Sequence, residues 1–181
     1  MTELLSFDEV KNFSRLPSAE VESWVTELSV PNFIVRVPFK LNSKSNFRYG
    51  QKWSTHKDFS RNIAHLVTVA RPSAWTLPPS SSPTESVSAR HHIVCSLWFS
   101  TIFDSGNVSK SILDALEGVL YFNDAEVRSV YSATRRSRAE NFGYMAFAQC
   151  EPGVASKELL RVQHRLDEEI HRFVEEESGE I

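Results

Sequence analysis

Carboxylates between Asp104 and Val127 make this stretch the part of the sequence best suited to chemistry. Asp104 follows an apolar, strand-like run, and Asp124 lies in the turn before the next predicted strand, with Glu126 two residues later. A predicted helix between them offers a way to bring these carboxylates together. Mg²⁺ or Mn²⁺ is bound by one or two carboxylates plus phosphate oxygens. Such an ion would polarise a phosphoryl oxygen and activate water, and Lys110 on the helix would stabilise the developing charge.

The same residues also have ordinary structural explanations. An aspartate after a strand is often a helix cap, as Asp104 would be. Asp114 and Glu117 would form a solvated helix face, and Lys110 would be a surface lysine. Taken one at a time, these structural roles are the more frequent. The hypothesis of a metal site therefore depends on the stretch as a whole.

Strand and helix patterns alternate along the centre of the chain. Strands are predicted from β-branched and aromatic runs, and helices from apolar residues at helical spacing. The segments are strands at 32–38 and 91–103, helices at 55–71 and 107–118, and two final strands at 127–134 and 142–150. The loop RRSRAEN between the final strands has the length of an open hairpin connection. The sequence predicts an α+β fold whose domain, residues 31–152, has the order β-α-β-α-β-β.

Acidic segments flank this domain. The net charge is −4 over residues 1–30, +5 over 31–152 and −4 over 153–181. Ser6 with Glu9 has capping-box spacing, and Pro17 with Ser18 opens a second apolar-periodic run, so residues 1–30 are predicted to form two short helices. Residues 156–177 predict a long amphipathic C-terminal helix. The flanks are therefore expected to be helical extensions with solvated acidic faces.

Taken whole, the central stretch resembles the signature of RusA-like Holliday junction resolvases. That signature is D-x-D-N, a lysine three residues on, D-A-L, and an aromatic residue before D-D-x-x-V. The matching segments are Asp104-Ser105-Gly106-Asn107, Lys110, Asp114-Ala115-Leu116, Tyr121 and Asn123-Asp124-Ala125-Glu126-Val127. The run IVRVPFKLNSKSN resembles the opening strand and loop of the family. The resemblance covers roughly residues 32–151.

The resemblance implies a RusA-like core and a divalent-metal-dependent endonuclease that acts on branched DNA. It implies Mg²⁺ (or Mn²⁺) as the cofactor, Asp104 and Asp124 as metal ligands and catalytic residues, and Lys110 as a catalytic lysine. It also implies a homodimer that cuts four-way junctions in DNA repair and recombination. Supporting roles at the site fall to Asn107, Asp114, Asn123 and Glu126.

Two positions depart from the signature. Gly106 stands where the family has the second aspartate of D-x-D-N, normally a metal ligand, and Asn123 replaces the first aspartate of the D-D pair. Losing a carboxylate weakens a Mg²⁺ site. Either Asp114, Glu126 or an asparagine carbonyl replaces the missing ligand, or the protein is an inactive homologue that binds DNA junctions or a protein partner.

Basic residues in two predicted loops are the candidates for contacts with DNA phosphates. They are Lys44, Arg48, Lys52 and Trp53 after the first strand, and Arg135, Arg136 and Arg138 in the final loop. Exposed loops also collect lysine and arginine for solubility, but clustering in a core of charge +5 favours DNA binding. The acidic flanks would compete with DNA for this core or dock a protein partner.

The remaining signals are predicted to be structural. The Pro- and Ser-rich residues 72–88 predict a flexible insertion. Cys95 and Cys150 lie in apolar runs, without the spacing of a zinc site or a disulfide framework. His91 and His92 would point to opposite faces of a strand. Charged residues interrupt every apolar run, so a cytoplasmic protein with no membrane segment is expected.

Overall fold

The protein forms a mixed sheet covered by helices in a computed structural model that describes residues 14–15, 30–42, 51–77, 90–138 and 141–178. The side chains of 14–15, 51–55 and 177–178 are outside this description. The strands are β1 (Ser14–Arg15), β2 (Asn32–Val37), β3 (His92–Thr101), β4 (Val127–Arg136) and β5 (Phe142–Cys150). The helices are α1 (Gln51–Ala70), α2 (Ser105–Leu116) and α3 (Ser156–Ser178). A 3₁₀ turn, Asp124–Glu126, precedes β4.

Five strands lie in the order β1-β2-β5-β3-β4, so β4 is at one edge of the sheet. Strand β3 pairs with β4 in parallel and with β5 in antiparallel orientation, and β2 is antiparallel to β5. The predicted α+β class is confirmed, as is the order of elements between residues 31 and 152. None of the described helices is long and apolar enough to cross a membrane.

Strand β3 is buried along its whole length because helices cover both faces of the sheet. Cys95, Leu97 and Phe99 point to the face covered by α1 and α2. Val94 and Trp98 alternate with them and point to the face covered by α3. This alternation follows from the two-residue period of a strand. The predicted C-terminal amphipathic helix is confirmed, since the apolar stripe of α3 forms part of the second core.

The predicted hairpin between the last two strands is wrong. Strand β3 lies between β4 and β5, and the loop after β4 crosses the end of β3, where Ser137 N donates to Thr101 O at 3.3 Å. Arg135 and Arg136 belong to β4, level with Ser100 and Thr101, and only Arg138 lies in the loop. Helix α2 explains the difference, because a helix joins two parallel strands and so takes β4 to the free side of β3.

The first part of the predicted flexible insertion is packed. Trp75 is 4% exposed, donates from Nε1 to Leu120 O at 3.3 Å, and lies edge-on to Phe33. Thr76 and Gln149 exchange two hydrogen bonds of 2.7 Å. One buried aromatic residue thus anchors a stretch whose composition predicts flexibility. Residues 78–88 lie outside the described residues.

The two predicted N-terminal helices lie outside the described residues. Within that region only Ser14, Arg15 and Val30 are described, and the first two form β1 against β2. Strand β1 was not predicted from the sequence.

Candidate nucleic-acid interface

Asp104 and Asp124 lie at opposite ends of the sheet. Asp104 follows the end of β3, whereas Asp124 precedes the start of β4. The strands are parallel, with Ile93 level with Val127 and Thr101 level with Arg136. Eight residue steps of β3 separate these levels, which is roughly 26 Å at about 3.3 Å per residue. The expectation that α2 brings both carboxylates to one place is therefore wrong within one protomer.

The described contacts of Asp104 are those of a helix cap. Its backbone is extended, and its Oδ1 accepts a hydrogen bond from Asn107 N at 3.0 Å. This satisfies one of the donors left free in the first turn of α2. A Cβ atom at Gly106 would lie 3.2 Å from that same Oδ1. A side chain at position 106 would therefore sit beside the capping carboxylate.

The residues around Asp124 also make local structural contacts. Asn123 caps the 3₁₀ turn, with Oδ1 accepting from Ala125 N at 2.9 Å. Glu126 is buried, and its two oxygens accept from Arg90 Nη1 at 2.9 Å and from Phe122 N at 3.0 Å. Arg90 in turn lies over the ring of Phe122. Glu126 thus forms a buried ion pair with Arg90.

The supporting residues on α2 are divided between the two ends of the sheet. Asn107 and Lys110 lie in the first half of the helix, nearer Asp104, and Lys110 is exposed. Asp114 lies in the last turn, on the side of Asp124. Burial raises the pKa of Tyr121, and negative charges that include Asp124, Glu117 and Asp114 raise it further. We call the end of the molecule at Asp114, Glu117 and Asp124 the acidic end.

These positions do not fit the Mg²⁺ site implied by the resemblance. The two expected ligands are at opposite ends, and Glu126, one candidate replacement, is engaged by Arg90. Asp114 lies in the last turn of α2, away from Asp104. Within the described ranges, no group of three or more histidine, cysteine or acidic residues is placed to hold a metal ion. The described part of one protomer therefore does not bring together the carboxylates that the predicted chemistry requires.

Basic side chains gather at the opposite end, where β2, β3 and β4 finish and β5 begins. We call Lys40, Arg135, Arg136 and Arg138 the basic end. All four side chains are exposed, and none forms an ion pair with another described residue. The loop carrying Lys40 is tied to the loop after β4, because Leu41 N donates to Asn141 Oδ1 at 2.9 Å. The fold thus gathers positive charge from the loop after β2, the end of β4 and the loop after β4.

Of the predicted DNA contacts, Arg135, Arg136 and Arg138 lie at this end. Lys52 and Trp53 lie in the first turn of α1 and not in a loop, since the helix begins at Gln51. Lys44 and Arg48 lie outside the described residues. Lys40 was not predicted as a contact, although it lies four residues before Lys44 in the same basic segment.

The acid-rich end of α3 lies near the basic end, on the other face of the sheet. Phe173 packs against Tyr144 in β5 with ring centroids 5.1 Å apart, and the exposed Glu175 and Glu176 follow. Competition between the C-terminal flank and DNA stays a prediction.

Neither the protein-family models nor the curated protein sequences contain a match to this chain.

Proposed function

We propose that this protein binds nucleic acid through the basic end and does so without cutting it. The observation that carries the proposal is the set of four exposed cations at one end of the sheet, none of which forms an ion pair with a described acid. Unbalanced arginine and lysine side chains bind phosphates by releasing condensed counterions. Branched DNA is the ligand class that the resemblance to RusA-like resolvases favours.

The arginines of α3 differ in this respect. On α3, Arg161 pairs with Glu158 at 3.1 Å, Arg165 with Glu168 at 3.1 Å and Arg172 with Glu169 at 2.9 Å. Such pairs are the usual state of charged residues on a solvated helix. The arginines of β4 and its loop have no such partners within the described residues, which supports a role in holding phosphates.

Binding without cleavage is favoured because the two aspartates required for cutting are far apart. The endonuclease implied by the resemblance needs carboxylates that share a metal ion. Asp104 caps α2, and Asp124 lies at the other end of the sheet. The inactive homologue, the alternative raised by Gly106, is thus the version that the geometry supports.

The binding experiment compares two triple variants of equal charge. Arg135→Gln, Arg136→Gln and Arg138→Gln together should weaken binding to a labelled four-way junction by at least about tenfold at moderate salt. The variant should also reduce the slope of log affinity against log salt by roughly 3, for three lost phosphate contacts. Fluorescence anisotropy measures both. The control, Arg161→Gln, Arg165→Gln and Arg172→Gln, should stay close to the unmodified protein. Equal losses in both variants would show that net charge alone drives binding.

The cleavage experiment incubates the junction with Mg²⁺ or Mn²⁺. The unmodified protein, Asp104→Asn and Asp124→Asn are all expected to leave the DNA intact. Cleavage by the unmodified protein that disappears in both asparagine variants would restore the endonuclease and reject this proposal. Gly106→Asp belongs in the same series, since it supplies the aspartate of the family signature.

A further inference from the structure

We infer that the binding surface continues from the basic end along the edge strand β4, where the ring of Tyr131 stacks against an unpaired base. The preferred ligand is then a nucleic acid with a single-stranded segment. This binding mode rests on the proposed function, because it names the form of nucleic acid that the same surface takes. On one side β4 pairs with β3, and among the described residues no strand lies on its other side. Side chains along this edge are therefore accessible to a long ligand.

The charged residues of β4 and of the loop after it all have the same sign. Residues 127–138 contain no aspartate or glutamate, and their charged residues are Arg128, Arg135, Arg136 and Arg138. Each of these arginines is exposed, and none forms an ion pair with a residue that the structure describes. Arg128 and Arg136 are eight positions apart, which is roughly 25 Å of strand. The cations of the basic end thus extend along the edge and complement a chain of phosphates.

Tyr131 is the aromatic residue of this stretch, and it is more open than its neighbour on β3. Ser96 is level with Tyr131 and is fully buried, and its Oγ donates to Asp167 Oδ1 of α3 at 3.1 Å. Tyr131 itself is 43% exposed. It forms no hydrogen bond or ring contact with any other side chain in the described ranges. Helix α3 therefore covers β3 on this face and leaves the ring of Tyr131 open for stacking.

Tyr131 and Arg135 lie on the same face of the sheet. They are four positions apart in β4, level with Ser96 and Ser100 of β3, and side chains two or four positions apart in a strand share a face. The distance along the strand is roughly 13 Å, which a short oligonucleotide spans.

An aromatic platform beside a row of cations is the combination that binds single strands without sequence preference. In a duplex the faces of the bases are covered by their neighbours, so the ring of Tyr131 has no base to contact. The arginines bind phosphates of either form. Tyr131 is therefore the residue that distinguishes an unpaired segment from a paired one.

Fluorescence anisotropy with the full-length chain tests the stacking contact. The probes are a thymidine strand and a uridine strand of about 15 nucleotides, a duplex, and an abasic strand of equal length that keeps the phosphates without the bases. Tyr131→Ala should weaken binding to the thymidine or uridine strand by about tenfold and leave binding to the abasic strand unchanged. Tyr131→Phe keeps the ring and should bind as the unmodified protein does. Stronger binding of one of the first two probes would identify DNA or RNA as the source of the single strand.

Val130→Ala is the matched control, because Val130 is also 43% exposed but lies on the opposite face of β4. It should leave all four affinities unchanged. Salt dependence gives an independent measurement. Tyr131→Ala should not change the slope of log affinity against log salt, since stacking releases no counterions, whereas Arg128→Gln should reduce it by about 0.7.

Several outcomes would overturn this binding mode. They are an equal loss on the thymidine and abasic strands in Tyr131→Ala, an equal loss in Val130→Ala, or no loss in Tyr131→Ala. If the triple variant of Arg135, Arg136 and Arg138 still weakens binding to the junction in those cases, the proposed function stands and only the role of Tyr131 is rejected. Absence of binding to every nucleic acid would reject both.

Discussion

At the scale of single residues, the candidate catalytic groups serve the local structure. Asp104 caps α2, Asn123 caps the 3₁₀ turn, and Glu126 holds Arg90 in the interior. Aspartate and asparagine are frequent both in helix caps and in metal sites, because both roles use an oxygen lone pair. In a cap the oxygen accepts a hydrogen bond from a backbone N–H, and in a metal site it binds the cation. Residue type and spacing alone therefore do not separate the two roles.

Substitutions at Asp104 distinguish a cap from a metal ligand. Asp104→Ala should lower the free energy of unfolding by about 1 kcal/mol, because the first turn of α2 loses its acceptor. Asp104→Asn should leave stability almost unchanged, since asparagine caps helices as well as aspartate does. Urea denaturation measures both. Unchanged stability in both variants, together with lost Mg²⁺ binding, would instead identify Asp104 as a ligand.

At the scale of elements, contacts distant in sequence decide the structure of the segment after α1. Proline and serine content predicts flexibility from residue 72 onward, yet Trp75 is buried in the core, where it contacts Phe33 and Leu120. A single large aromatic side chain buries enough apolar surface to offset the entropy of ordering a short loop. Composition averages over the segment and so misses this residue.

Removing the Trp75 side chain should lower the free energy of unfolding. Trp75→Ala should destabilise the protein by about 3–5 kcal/mol, as large cavities in a core do. Leu77→Ala, two residues later at a site 52% exposed, should change stability by less than about 0.5 kcal/mol. Thermal or urea unfolding of the two variants gives the comparison. Similar small effects at both positions would mean that the loop is not anchored in solution.

At the scale of the whole molecule, the fold separates charge between two ends. The parallel β3-α2-β4 unit puts Asp124 at one end and Arg135 and Arg136 at the other, although they are only 11 and 12 positions apart in sequence. This separation supports the proposed function, because phosphates would contact the basic end without repulsion from the carboxylates of the acidic end. His92, buried at the start of β3, adds a pH dependence to the stability of the whole fold.

Acidification should weaken the fold through His92. Burial lowers the pKa of His92, and the nearby charges of Arg128 and His91 lower it further. In the unfolded chain His92 takes up a proton near pH 6.5, whereas in the folded protein it stays neutral to a lower pH. Protonation therefore favours the unfolded chain, and the free energy of unfolding falls as the pH drops below about 6.5. In urea unfolding between pH 7 and 5, His92→Leu should show a shallower loss than the unmodified protein. An unchanged slope in His92→Leu would contradict this account.

The sequence by itself determined the strands and helices of the central region and the apolar stripe of α3, because strand and helix periods are local properties of the chain. The class and the order of elements follow from them. Only the tertiary structure decided that β3 lies between β4 and β5. The same is true of the ion pair between Arg90 and Glu126 and of the separation of Asp104 from Asp124. Strand neighbours depend on pairings between distant segments and on the direction of each crossover, which local patterns do not encode. The carboxylates that the sequence places within one motif are therefore held at opposite ends of the folded protein.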